Sequence, residues 1–180
     1  YMLQIEQTVL LLVDIQGKLA ELMHEKEALY QNIRRLIMAA KSLSLPILWM
    51  EQIPEKMGRT IQEARELLTS EQPISKKCFS CCGESSFIAK LEATGRKQVL
   101  VAGIEAHVCV YQTVTDLISR GYQPHIVSDA VSSRSLSNKM IGLERSKSAG
   151  AQITSVESAL FEMMRTAEHP AFKEILNIVR

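Results

Sequence analysis

The chain has 180 residues, 46% of them apolar and 23% charged, with a formal net charge of +1. That length and apolar content suffice for one buried core. Charge so close to balance gives no electrostatic case for nucleic acid or an acidic membrane surface as partner. No apolar run approaches the ~20 residues needed to span a bilayer, and the first residues lack the basic region and small-residue cleavage site of a secretory signal.

Residues 8–13 (TVLLLV) are apolar without alternation, which suits a strand buried on both faces of a parallel sheet. Ala28, Leu29, Ile33, Leu36, Ile37 and Ala40 then recur at helical spacing. Pro46 opens a second strand over 47–50, and residues 73–76 read as a short third. A helix over 84–94 stops at Gly95, a plausible C′ residue. The fourth strand is 99–102. After it Val110, Val114, Leu117 and Ile118 share one face of a helix that stops at Gly121. Residues 125–128 form a fifth strand, 137–150 a helix and 151–154 a sixth strand. Over 170–180, Phe172, Ile175, Leu176 and Val179 make the stripe of an amphipathic helix.

Strands alternating with helices predict an α/β fold. The expectation is one domain over 1–180, a three-layer α/β/α sandwich around a mostly parallel, six-stranded, Rossmann-like sheet with right-handed crossovers. In such sheets ligands sit beyond the carboxyl ends of the strands. Asp14 ends the first strand, Lys76 ends the third, and Cys109 lies just past the fourth. All three should therefore meet at one edge.

Each has a bland reading: a helix cap for Asp14, a solvated amine for Lys76, a buried structural thiol for Cys109. As a set they supply an acid, a base and a nucleophile at equivalent positions. Cys109 is predicted at the first turn of its helix, where free N–H groups and the dipole would hold its thiol below the ordinary value of about 8.5. The cysteines at 78, 81, 82 and 109 cluster too tightly for a secreted disulfide framework, so a reducing, cytoplasmic setting is expected. Cys78 and Cys81 form a C-x-x-C. It reads as packing of the loop after Lys76, with a redox pair, or a zinc site shared with His107 and Cys109, as lesser alternatives.

LLVDIQ at 11–16, KKCFS at 76–80 and GIEAHVCV at 103–110 resemble the isochorismatase-like cysteine hydrolases, over roughly 9–158. The likeness is greatest to the isochorismatase-domain-containing proteins of uncertain substrate. They share the EQ-x-P segment seen as Glu51, Gln52 and Pro54, and the DAxxSRS stretch at 129–135. The resemblance implies an isochorismatase-like hydrolase fold and an Asp14–Lys76–Cys109 triad. It implies a cis peptide bond at Ile104–Glu105 that aims the Glu105 N–H, with the Cys109 N–H, at a developing oxyanion. It also implies a homo-oligomer, dimer or larger.

The expected activity is cysteine-dependent hydrolysis of a small amide, carbamoyl or ester substrate through a thioester-type intermediate. A catalytically inactive binding protein on the same fold, or a thiol redox protein using Cys78 and Cys81, are the alternatives. Nicotinamidases of this family hold a metal through an aspartate and two histidines after the second strand. Here that stretch, WMEQIPEKMGRT, has no histidine, so no metal and no cofactor are expected. Gln16, Trp49, Gln52, Phe79 and His107 are predicted to line the pocket. Asp129 is expected to serve as a structural hydrogen-bonding residue.

Overall fold

The computed structural model describes residues 2–180. In chain order its regular elements are β1 (Thr8–Val13), α1 (Gly17–Glu21), α2 (Lys26–Ser42), β2 (Ile47–Gln52), α3 (Pro54–Met57), α4 (Gln62–Arg65), β3 (Ile74–Lys76) and α5 (Ser85–Ala93). There follow β4 (Gln98–Ile104), one π-helical turn (Ala106–Val110), α6 (Tyr111–Ser119), β5 (Gln123–Ser132), α7 (Leu136–Ala149), β6 (Gln152–Thr154), α8 (Val156–Met164) and α9 (Phe172–Val179). The strands form one six-stranded sheet in the order β3-β2-β1-β4-β5-β6, and every neighbouring pair is parallel.

Every residue of β1 is buried, because helices cover both faces of the sheet. Side chains alternate across a strand. Leu10 and Leu12 pack with Leu100 and Ala102 under α2, α8 and α9, whereas Val9, Leu11 and Val13 pack with Val99 and Val101 under α5 and α6. This explains the uninterrupted apolar runs. The strand order reverses between β1 and β4, so the two strands leave a crevice beyond their carboxyl ends. Asp14 follows β1 and Glu105 follows β4 at that crevice.

Three strands run further toward this edge than hydropathy suggests: β2 to Gln52, β4 to Ile104 and β5 to Ser132. The polar residues there keep ladder partners, Gln52 with Lys76 and Ile104 with Ser132. The β4–β5 register shifts between Val101 and Gly103. In the bulged stretch of β5, Asp129 is held from both sides: its carbonyl accepts from Asn32 Nδ2 (2.7 Å) and its Oδ1 accepts from the Val156 N–H (2.9 Å).

Two glycines set the spacing at the crevice. Gly103 has φ +123°, and a Cβ there would lie 2.1 Å from the Val13 carbonyl oxygen, so β1 and β4 stay close just before Asp14 and Glu105. Gly142 of α7 sits against the π turn, where a Cβ would meet the Ala106 carbonyl group at 2.5 Å. Backbone cannot yield there as a flexible side chain would. Gly142→Ala is therefore expected to destabilise the fold by about 1–3 kcal/mol, as overpacking of a filled interior does. Urea denaturation checks this, and an unchanged midpoint would show that the helix simply shifts.

Candidate active site

Asp14, Lys76 and Cys109 meet beyond the carboxyl ends of β1, β3 and β4. The Lys76 ammonium is almost wholly enclosed, with a relative exposure of 1%. It donates to Asp14 Oδ2 (2.7 Å), Gln52 Oε1 (2.5 Å), the Cys78 carbonyl (3.0 Å) and the Phe79 carbonyl (2.8 Å). A buried charge persists only when paired and hydrogen-bonded, and these acceptors meet that need. The KKCFS segment serves this purpose. The chain curls after Lys76 so that two of its own carbonyls face back at the amine, and Ser80 Oγ accepts from the Cys82 N–H to hold the turn.

Gln52 is positioned in turn by Gln16. The Gln16 amide accepts from the Gln52 N–H (2.6 Å) and donates to the Gln52 carbonyl (3.0 Å) and the Gly58 carbonyl (2.7 Å). Gln16 is thus a clamp behind the site rather than a wall of the pocket, a correction to its predicted place. The rigidity of Gln52 comes from this clamp and from its own Nε2, which donates to the Lys77 carbonyl.

Asp14 has φ +49° and Ile53 has φ +34°. Such backbone is uncommon for aspartate and an outlier for a β-branched residue. Strain of this kind collects at functional sites, and both residues face the same cavity. The other Asp14 oxygen, Oδ1, is buried and has no hydrogen bond of ordinary geometry among the described residues. The Cys109 thiol lines the same cavity. Burial raises the Asp14 pKa above its usual 3.8, while Lys76 and the thiol oppose the rise.

Cys109 lies in the π turn, one residue before its end. Burial first, and the Asp14 carboxylate second, push its thiol up to about 12. The expectation of a thiol pKa below about 8.5 is therefore corrected. The helix start does not overcome a desolvated neighbour of negative charge, so the thiol keeps its proton until a base removes it.

The Ile104–Glu105 peptide bond is cis. The Glu105 side chain turns away from the thiol, its Oε2 accepting from the Arg134 N–H (3.0 Å) and Arg134 Nε (3.2 Å). Among the described residues, neither the Glu105 N–H nor the Cys109 N–H has a hydrogen-bond acceptor outside residues 106–110. The Glu105 N–H is thereby free for a ligand oxygen.

Asp14 and Cys109 form the floor of a cavity of about 260 Å3. Gln52, Phe79 and Glu105 also line it, and Leu19, Ile53, Met57, Ile104 and Val108 supply apolar walls. Apart from Ile104 at the end of β4, these wall residues had no sequence signal, since they come from a short loop, α1, α3 and the π turn. Trp49 and His107 are not among the lining residues, contrary to expectation. Trp49 stands three residues before Gln52 on a strand, so alternation sends it to the opposite face. There its Nε1 donates to Thr60 Oγ1 (2.7 Å). His107 instead reaches the buried Ser133, with Nδ1 at 2.8 Å from its Oγ.

All four cysteines are free thiols. Cys81 is buried in the core under α5 and α6, and burial drives its thiol well above the ordinary range. Cys78 is exposed. Among the described residues no group of three or more His, Cys, Asp or Glu side chains is placed to hold a metal ion. Glu51, the nearest carboxylate on β2, is instead held by the Thr60 N–H (2.6 Å) and Thr60 Oγ1 (2.9 Å).

The profile of the isochorismatase domain matches residues 8–158. This chain belongs to the isochorismatase family. It is 41% identical over 147 residues to isochorismatase domain-containing protein 1 of Danio rerio, an alignment taking in 82% of this chain and 52% of the relative. The chain thus spans about half the length of that relative. It is 35% identical over 179 residues to a secreted isochorismatase effector of Phytophthora sojae, covering 96% of this chain and 84% of the effector. Among solved structures, a MAR1 ribonuclease from Caenorhabditis elegans superimposes with a TM-score of 0.93 at 34% identity, covering 99% of this chain and 92% of that one.

In this isochorismatase-family chain the ion pair has a measurable signature. Lys76→Met would leave the Asp14 carboxylate buried without its counter-ion and free several acceptors. Breaking a buried pair from one side typically destabilises by about 3–5 kcal/mol. Chemical denaturation should show a loss of that size, and a loss below about 1 kcal/mol would mean that the pair is solvated.

Proposed function

We propose that this chain is a cysteine hydrolase acting on a small amide, carbamoyl or ester substrate, with no cofactor required. The observation that carries the reading is the Asp14 carboxylate lining the same cavity as the Cys109 thiol, one oxygen held by Lys76 and the other buried without a hydrogen bond. Asp14 takes the thiol proton as sulfur attacks the carbonyl carbon. The Glu105 and Cys109 N–H groups hold the oxyanion, an arrangement worth about 2.7–4 kcal/mol of barrier per donor. The C–N or C–O bond breaks and Asp14 returns its proton to the leaving group. Water then attacks the thioester with Asp14 again as base, and the released thiolate recovers the proton. Lys76 keeps Asp14 oriented and offsets its charge while it works as a carboxylate.

The redox alternative has less support, because Cys81 faces the core with a thiol of high pKa. The binding-protein alternative is answered only by activity. The C. elegans relative is described as a ribonuclease. For this chain a small molecule is the better reading, since the cavity holds about 260 Å3 and the net charge is +1. Association into a homo-oligomer is part of the proposal, supported by exposed Leu136, Met140 and Ile141 on α7, with light scattering as its check. Among the described residues no helix is long and apolar enough to cross a membrane. A cytoplasmic setting is also proposed, supported by the four free thiols.

The test is a panel of small amides, carbamoyl compounds, esters and short RNA, followed by a pH profile on whatever is cleaved. Activity should be absent where Asp14 is protonated, rise as pH passes the raised Asp14 pKa above 3.8, and stay level through neutrality. A profile that instead rises with a midpoint near 8.5, the free-thiol value, would reject Asp14 as base. Cleavage of RNA alone would reject the substrate class.

A further inference from the structure

Ten residues line the cavity over Cys109, and none of them is lysine, arginine or histidine. The two acids among them already have partners. Asp14 pairs with the buried Lys76, and Glu105 pairs with Arg134. The formal charges of these four side chains therefore cancel. Lys76 has no capacity left for a ligand, because acceptors of the protein already surround its amine. What faces an occupant above the floor is a wall of Leu19, Ile53, Met57 and Val108, with Phe79 at the mouth. Phe79 is 55% exposed, the ring being uncovered although its carbonyl is held by Lys76. An exposed aromatic at the rim of an apolar pocket gives a ligand surface to cover.

We propose that the cavity selects acyl donors whose acyl portion is uncharged and apolar. This deepens the cysteine-hydrolase reading and rests on it for the chemistry, although the charge selection is a property of the cavity itself. A carboxylate on the acyl portion would lose its water, find no cation, and lie beside the Asp14 carboxylate. Both effects oppose binding. A cationic acyl portion would also lose its water, and would compete with the thiol for Asp14 Oδ1. At ~30 Å3 for a water molecule in the liquid, a cavity of about 260 Å3 takes a ligand of roughly nine non-hydrogen atoms. That fits a short aliphatic or single-ring acyl group.

The charge selection is tested without any known substrate. Iodoacetamide and iodoacetate differ in charge at nearly equal size, and the exposed Cys78 serves as internal reference on the same chain. Alkylation of each cysteine is followed by peptide mass mapping at pH 9. The iodoacetamide-to-iodoacetate rate ratio at Cys109 should exceed that at Cys78 by about 100-fold, the selectivity expected for excluding an unpaired buried charge. Met57→Lys, which puts a cation into the wall, should cut this excess at least tenfold and leave the Cys78 ratio unchanged. A Cys109 ratio within about threefold of the Cys78 ratio would overturn the proposal.

The chemistry is then read with 4-nitrophenyl butyrate, 4-nitrophenyl hydrogen succinate and the 4-nitrophenyl ester of trimethylglycine. Butyrate should acylate Cys109 fastest. Faster acylation by either charged ester would overturn the proposed selection. If none of the three acylates Cys109 while the alkylation ratio holds, the hydrolase reading fails and the uncharged-ligand assignment stands.

Discussion

Cys109→Ala should abolish turnover by at least about 10³-fold and leave no acyl adduct on the chain. A covalent route has no substitute when its nucleophile is gone, and what survives is at most the contribution of binding and the oxyanion donors. The change itself is mild for the fold. Cys109 is 9% exposed at the edge of a cavity and belongs to the core under α6 only at its margin. A small residue there should be accommodated with little loss of stability. Intact-protein mass spectrometry after mixing with an activated ester reads the adduct, and thermal denaturation confirms the fold. A variant that keeps more than a tenth of the activity would move the chemistry to another residue.

Asp14→Asn should change two observables in opposite directions. Hydrolysis should fall by about 10²–10⁴-fold, the usual contribution of a positioned proton-transfer group. Alkylation of Cys109 by iodoacetamide at neutral pH should rise. In the native chain burial and the Asp14 carboxylate together hold the thiol at about 12, while Lys76 pulls it down. The substitution removes the raising charge and keeps the lowering one. Each unit of decrease gives about tenfold more thiolate, so at least a tenfold faster alkylation is expected. Misfolding would accelerate Cys78, Cys81 and Cys82 as well, whereas the electrostatic effect is confined to Cys109. Alkylation that slows in step with hydrolysis would show that Asp14 does not restrain the thiol.

The oppositely directed effects follow from where the thiol sits. Read along the chain, a cysteine opening a helix should be acidic, because N–H dipoles favour the thiolate. The tertiary structure adds the negative charge of an aspartate from another strand and withdraws solvent from both. Those contributions outweigh one helix start, and only a three-dimensional arrangement reveals them. The same limit explains Trp49. It sits near a strand end, as pocket residues do, yet strand alternation parts it from Gln52 and turns it to Thr60. His107, only two residues before Cys109, faces Ser133 instead of the cavity.

Much of the frame was legible beforehand for a physical reason. Strands buried on both faces must be continuously apolar, and the helices that cover them must carry one apolar stripe. The runs at 8–13 and 99–102 and the stripe through Leu29, Ile33, Leu36 and Ile37 therefore declare an α/β sandwich. A parallel sheet sends its strand ends to one edge, which brings Asp14, Lys76 and Cys109 together. The chain order of residues thus determined the architecture and the edge on which a site could form.

Tertiary structure alone decided what that edge can do. Gln16 locking Gln52, Gln52 and Asp14 holding Lys76, and walls drawn from α1, α3 and the π turn are contacts between segments far apart in sequence. No local pattern encodes such contacts, because each depends on loop geometry and on how much water the folded neighbours exclude. The acidity of the thiol and the charge the cavity accepts follow from that exclusion.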